Sequence, residues 1–405
     1  MTTAPSAAAT VTRRRRTPRA SQGALLLLAV LLVAANLRLG VTSLGALLDQ
    51  VQDATGMSAA TASSLTSLPV LCFAVVGATG MALARRVGVH RGIGVAMAIL
   101  AAGLLFRVAG GSSLLVAGTL LACAGIALAN ILLPAVVKEH FPHRVGSVTG
   151  AYSAMLSGGA ALGAAATVPV AAATDSWRVG LGVWAALALL ALVAWAPYCR
   201  ATDHTTRVRR GPSLWRSPVA WAVTIIFATQ GIAAYVVMSW LPSVYLEAGF
   251  SHATSGLLLA VSILIGVPVF FVAPTIATRL RSQGHLLAVL SVLNAAGFLG
   301  LWLAPAQGAW LWALLLGVGG GIFPVVLTLF SLRAPDAETT AALSAMGQSV
   351  GYLIAAGGPL AVGLLHDATG SWSVPMALLT GLMLAQISVG YVAGRPVLVG
   401  THRQA

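Results

Sequence analysis

The sequence predicts an all-α membrane protein of twelve transmembrane helices, arranged as two six-helix pseudo-repeats. Three observations lead there. Of 405 residues, 58% are hydrophobic and only 8% charged, against about 25% charged in soluble domains. A soluble fold of this composition would expose large apolar patches. The apolar residues fall into runs of about 20, the length that crosses a bilayer at 1.5 Å per residue. The basic residues then mark alternate connections between those runs.

The first six runs lie near 22–48, 58–83, 92–109, 113–137, 147–170 and 177–198. The second six lie near 218–240, 253–274, 286–305, 309–332, 339–364 and 373–394. With this count, all of the 23 basic residues except Arg38, Arg107 and Arg178 fall on one side. The opposite connections hold Asp49, Asp53, Asp175, Glu247 and Asp367. The positive-inside rule therefore predicts that both termini are cytoplasmic, in a multi-pass protein of the bacterial inner membrane. The expected organisation is a basic tail over 1–21, a six-helix half over 22–199 and a polar linker over 200–217. A second half over 218–394 and a tail over 395–405 complete it.

The net charge of +14 does not indicate a nucleic-acid partner, because the cations form short clusters between apolar runs and not one basic face. Cys72, Cys123 and Cys199 have no metal-ligand spacing and imply no disulfide framework, so they read as small apolar residues. Arg13 to Arg16 and Arg19 ahead of the apolar stretch 23–35 imitate a secretory signal. The stretch continues as a long helix with many spans after it, so an uncleaved first span is expected.

An internal repeat supports the division into halves. Ala173-Thr174-Asp175-Ser176-Trp177 recurs 195 residues later as Ala368-Thr369-Gly370-Ser371-Trp372. The same offset pairs Ser153 with Gln348 and Ser157 with Tyr352. Met57-Ser58 and Thr61 echo Phe250-Ser251 and Thr254, each pair just before a span.

Against this background one segment is specific. Gly125-Ile-Ala-Leu-Ala-Asn130-Ile-Leu-Leu-Pro134-Ala-Val-Val-Lys138 is followed by Phe141-Pro142, Arg144-Val145-Gly146 and Thr149-Gly150-Ala151-Tyr152. It resembles the fourth-to-fifth helix signature of the cyanate and 2-nitroimidazole permease family of the major facilitator superfamily. Asn36-Leu37-Arg38 with Thr42-Ser43, the stretch Ser67–Phe73, and Trp240-Leu241-Pro242 are similar to the same family. The resemblance covers nearly the whole chain. It implies the major facilitator fold and a secondary active transporter working by alternating access. The implied solutes are cyanate-like anions or nitroimidazole-type compounds. It also implies that spans 5, 7 and 11 line a central cavity. One motif departs from the superfamily: the loop after span 2 usually reads Ala-Asp-Arg-x-Gly, and here it is Ala84-Arg85-Arg86-Val87-Gly88. Arg85 in the aspartate position removes one charge-pair gate. Arg85, Arg86, Gly88 and the helix-interrupting Pro134 are the candidate gating residues.

Arg38 is the sharpest candidate for binding. It lies about 16 residues into the first run, where a cation costs roughly 3 kcal/mol on insertion scales. Thr42, Gly45 and Asp49 fall on the same helix face. Arg38 either grips an anion or planar polar ligand through its guanidinium fork, or snorkels outward toward Asp49. Asn36 faces elsewhere and suits helix–helix bonding as well as ligand contact. Pro134 removes an intrahelical bond and frees the carbonyl of Asn130, which either lines the cavity or bonds a neighbouring helix. Tyr152, Gln230, Tyr235, Gln348 and Tyr352 are polar groups inside apolar spans, and two or three of them are expected to touch solute.

The sequence also argues against other functions. Gly317-Val318-Gly319-Gly320-Gly321 lacks the Gly-Lys-Ser/Thr of a phosphate-binding loop and lies inside a span. No cluster of His, Asp, Ser or Cys at matched depth suggests an enzyme. All nine carboxylates and eight histidines fall in loops or at span ends, so no mid-membrane carboxylate marks a proton relay. Glu139 is the nearest candidate. The expected partners are a small solute and the bilayer, with a proton or counter-anion as candidate coupling ion. No cofactor, metal or nucleic acid is expected, and the chain is expected to act as a monomer. An efflux permease for neutral compounds and a membrane sensor or structural protein are the alternative readings.

Overall fold

The computed structural model describes residues 20–57, 72, 75–76, 83, 86–200 and 214–399. The second expected span, 58–83, therefore lies almost wholly outside the described residues. The tails and most of the 200–217 linker lie outside them too. Arg85 is outside them as well. Among the described residues, 11 helices are long and apolar enough to cross a membrane.

The chain opens with α1 (Ala20–Ala46), which stops two residues earlier than the apolar run suggests, and a separate short helix α2 (Leu48–Thr55) follows. The break serves packing. Leu47, Val51 and Met57 turn inward onto Leu115, Trp177 and Leu181, and Gly56 ends α2 in the left-handed region at φ 63°. Next come α3 (Val89–Phe106), α4 (Ser112–His140) and α5 (Val145–Ala173). The sixth span divides at Val183 into α6 (Trp177–Gly182) and α7 (Trp184–Arg200).

The second half holds α8 (Pro218–Glu247), α9 (His252–Arg279) and α10 (Gly284–Leu303). The tenth span is broken into α11 (Ala309–Gly319) and α12 (Ile322–Leu332), and α13 (Ala337–Thr369) and α14 (Ser373–Ala393) complete the chain. Several helix starts are capped by side chains. Ser217, Ser251 and Asp336 accept from the backbone N–H of Ala220, Thr254 and Thr339, at 3.3, 3.2 and 2.7 Å.

The repeat is visible in the backbone. Asp175 and Gly370 occupy equivalent places after α5 and α13, and both adopt positive φ, 46° and 63°. Glycine takes this conformation freely and aspartate does so at a cost.

Small residues set the closest helix pair, α1 against α5. A Cβ on Gly159 would lie 1.9 Å from the Ala35 carbonyl oxygen, and one on Gly163 would lie 2.6 Å from Thr42 Oγ1. The two glycines are one turn apart, so both face α1, which is the small-residue packing favoured where lipid supplies no hydrophobic drive between helices. The outer surface is apolar, with Leu264 70% and Leu303 68% exposed, as lipid requires.

Two arginines outside the central chamber are buried. Arg333, expected as a loop charge, is 4% exposed. It donates from Nε to the Ala393 carbonyl and from Nη2 to the Gly394 carbonyl and to Gln283 Oε1, binding the ends of α12 and α14 to the start of α10. Arg107 is fully enclosed just after α3. It donates to the Gly40 carbonyl at 2.7 Å, to Ser43 Oγ at 3.1 Å and to the Leu181 carbonyl at 3.0 Å. Two carbonyls and one hydroxyl thus receive its guanidinium inside the protein.

The apolar cores show how the halves meet. Toward the face carrying the basic connections, one core contains residues of both halves, from Val136 and Val148 to Val325 and Leu343. Toward the acidic face there are two cores. One is made only of first-half residues such as Leu44, Val51 and Trp177. The other is made only of second-half residues such as Val244, Phe298 and Met376. Among the described residues, the core shared by both halves lies toward the basic side, and the two cores toward the acidic side each belong to one half.

Candidate functional site

Arg38 of α1 faces aromatic side chains from four elements of the second half. The guanidinium carbon of Arg38 lies 5.4 Å from the ring centroid of Phe323, in cation–π range. Its charge also acts on the phenols of Tyr235 and Tyr352. Those two rings are 6.4 Å apart. Phe227 stands edge-on to Tyr352 at 5.0 Å and within 5.9 Å of Phe323, and Phe270 extends the wall 6.3 Å beyond Phe323. Arg38 is half-buried and makes no ion pair with a described residue. The side chain of Asp49, its partner in the alternative snorkelling reading, lies outside the described residues. The result is one guanidinium from α1 facing an aromatic wall built by α8, α9, α12 and α13.

Proline chemistry explains the next contact. Pro134 has no N–H, so the Asn130 carbonyl loses its partner within α4. Gln348 Nε2 of α13 donates to that carbonyl at 3.1 Å, and also to Ser344 Oγ at 2.8 Å. One turn on, Ser331 Oγ of α12 donates to the Pro134 carbonyl at 3.2 Å. Both bonds cross between the halves, on the basic side. Nearby, Gly146 and Gly150 of α5 meet the backbone oxygens of Pro274 and Phe271 of α9 so closely that a Cβ would lie 2.4 and 2.5 Å away. Lys138, at the end of α4, interacts electrostatically with Asp336 just before α13.

The other candidate side chains make contacts of their own. Asn36 is 1% exposed and donates its amide to the Leu32 carbonyl at 2.9 Å and to the Leu187 carbonyl of α7 at 3.3 Å. Thr42 bonds back to the carbonyls of Arg38 and Leu39 in its own helix. Gln230 is 3% exposed and accepts from Asn294 Nδ2 of α10 at 3.1 Å. Beside it, Gln386 of α14 donates to Thr229 Oγ1 at 2.7 Å and accepts from Ser291 Oγ at 3.1 Å. This polar seam ties α8, α10 and α14 together. Tyr152 is 2% exposed, with its hydroxyl against Thr149 of the same helix. Of the gating candidates, Arg86 is exposed and Gly88 caps α3 at φ 85°, a conformation that favours glycine.

Phe323 and Phe227 were not among the residues singled out from the sequence. A signal for Phe323 was available. It follows the Gly319–Gly321 break in the tenth span, and interrupted spans are the pointer to transporter binding sites.

Comparison with known proteins agrees with this architecture. The Major Facilitator Superfamily profile matches residues 26–359. The chain is 38% identical over 371 residues to the 2-nitroimidazole transporter of Escherichia coli K12, covering 90% of this chain and 94% of that one. It is 32% identical over 364 residues to the cyanate transport protein of the same organism, covering 88% and 94%. In structure it is similar to the fucose:proton symporter of E. coli, with a TM-score of 0.70 at 17% identity, over 92% of this chain and 98% of that one. The chain belongs to the Major Facilitator Superfamily and, within it, to the family that holds these nitroimidazole and cyanate transport proteins.

Proposed function

We propose that this transporter moves a small planar solute bearing a nitro or other oxyanion-like group, and that it does so by alternating access. The observation that carries the reading is the Arg38 guanidinium held 5.4 Å from the Phe323 ring, with Tyr235 and Tyr352 within reach of its charge. A planar heteroaromatic ring can stack on that wall while its nitro oxygens take two parallel N–H bonds from the fork. Cyanate would use the charge and leave the wall idle, so the nitroimidazole class fits the chamber better. The similarity to the 2-nitroimidazole transporter supports the same choice.

In this reading the rocking units are the halves 22–199 and 218–394, in the inner membrane with the basic face and both termini in the cytoplasm. Closure on the basic side and separate cores on the acidic side then correspond to an outward-facing state. Gln348, Asn130, Ser331 and Pro134 hold the cytoplasmic gate. A neutral nitroimidazole crosses without electrical work. An anion carried inward would cost about 2.3 kcal/mol per 100 mV and would need a co-ion or an exchanged anion.

The test is transport in proteoliposomes. Wild-type protein is expected to exchange labelled 2-nitroimidazole across the membrane, and Arg38→Ala is expected to abolish that exchange. The proposal fails if correctly folded wild-type protein moves neither 2-nitroimidazole nor cyanate. If it moves cyanate alone, the stacking role of the aromatic wall is wrong.

A further inference from the structure

On the basic side, away from the Arg38 chamber, α3 and α4 bring three ligating side chains together. His90 is the second residue of α3, and Glu139 and His140 are the last two of α4. Their ligand atoms all lie within 4.8 Å of one another, the only such trio of His, Cys, Asp or Glu among the described residues. The imidazoles meet through the same nitrogen, Nε2 to Nε2 at 2.7 Å, with ring planes at 87°. Without a metal, one Nε2 must carry a proton and the other accept it. With both protons on Nδ1, the two Nε2 lone pairs face each other, and the rings must part and tilt for both to reach one ion.

The first ligand is fixed in advance. His90 is 3% exposed. Its carbonyl accepts the Trp195 indole N–H at 2.8 Å and lies 3.7 Å from Cys199 Sγ. The Trp195 ring lies nearly parallel to the imidazole, at 19° and 6.1 Å. These contacts hold the backbone at His90 and flank its ring. Glu139 and His140 are half-buried at a helix end, so they can adjust. Zinc–nitrogen bonds of about 2.0–2.1 Å in a tetrahedron put two nitrogens about 3.4 Å apart. The pair therefore has to open by about 0.7 Å and tilt to admit the ion.

We propose that His90, Glu139 and His140 form a divalent-metal site that takes Zn²⁺ through two imidazole Nε2 atoms and one carboxylate oxygen, with a fourth position for water. Two nitrogens and one oxygen select zinc-like ions over Mg²⁺ and Ca²⁺, which take oxygen ligands. The ion would join the ends of α3 and α4 next to Lys138, whose charge faces Asp336 of the other half. The site departs from the expectation that the chain carries no metal. The sequence hides it because His90 and His140 are far apart in the chain.

The test uses the full chain in detergent, with its affinity tag removed and metal stripped by chelator. Zn²⁺ is titrated calorimetrically, and Co²⁺ is followed by its tetrahedral visible absorption. Wild-type protein is expected to bind one ion per chain. His140→Ala and Glu139→Gln, both half-exposed positions, are expected to weaken binding by about tenfold or more and to lose the Co²⁺ band. His143→Ala, at an exposed neighbouring position, should leave both unchanged. The proposal is overturned if folded wild-type protein takes up no stoichiometric ion. It is equally overturned if His140→Ala and Glu139→Gln bind Zn²⁺ as wild type does. The wild-type titration decides by itself should a variant misfold.

Discussion

Replacing Gln348 with alanine removes the donor that satisfies the Asn130 carbonyl, 3.1 Å away across the two halves. No replacement exists within α4, because the residue one turn on is Pro134. While the basic side stays closed, the carbonyl is then unpaired at a half-buried position, which costs up to about 1–3 kcal/mol. When that side opens, water reaches the carbonyl and the cost disappears. The substitution therefore acts on one conformation only, and the equilibrium should move toward the basic-side-open state by about 5- to 150-fold. Spin labels at Arg86 and Arg281, exposed positions on the basic face of opposite halves, would report the change by double electron–electron resonance. They would be introduced in a background lacking Cys72, Cys123 and Cys199, all free. Gln348→Ala should show a longer distance population at the expense of the wild-type one. Identical distance distributions in the two proteins would refute the reasoning, since the bond would then not distinguish the states.

Four further outcomes follow from individual positions. Asp175→Gly relieves a positive φ of 46° and should raise stability by about 1 kcal/mol, read as a higher unfolding temperature in detergent; Gly370→Ala, at the equivalent turn, should lower it. Gly159→Val drives a side chain into the Ala35 carbonyl, which cannot yield as a side-chain tip would. It should cost about 1–3 kcal/mol or more and reduce the monodisperse fraction on size exclusion. Arg107→Lys cannot reach the Gly40 and Leu181 carbonyls and Ser43 Oγ together. It should destabilise by about 2 kcal/mol, measured by thermal unfolding.

The spans were legible because an apolar run near 20 residues admits little else in a membrane, and the basic connections fixed their alternation. The repeat was legible down to one residue: the aligned Asp175 and Gly370 share a left-handed backbone. The interruptions were harder to place. Val183 breaks the sixth span although it is apolar, since the break serves the packing of Trp177 and Leu181 and not any local breaker. The Gly319–Gly321 run was visible, but it was read as no phosphate-binding loop, not as the helix break that precedes Phe323. Pro134 announced a free carbonyl at Asn130, while the donor, Gln348, is 218 residues away and only the folded halves bring it there. Burial of Arg107 and Arg333 escaped for the same reason. A guanidinium at a span end reads as a surface charge until other helices close over it and supply carbonyls.

Binding of 2-nitroimidazole to the purified chain tests the chamber most directly, by titration calorimetry on wild type, Arg38→Ala, Arg38→Lys and Phe323→Leu. The expected result is saturable binding by wild type, weakened at least about tenfold by either Arg38 substitution, because a lysine supplies charge without the fork. Phe323→Leu should weaken it by several-fold through the lost ring face. Equal affinity in all four proteins would contradict the assignment, making Arg38 a structural cation and moving the binding site away from the aromatic wall.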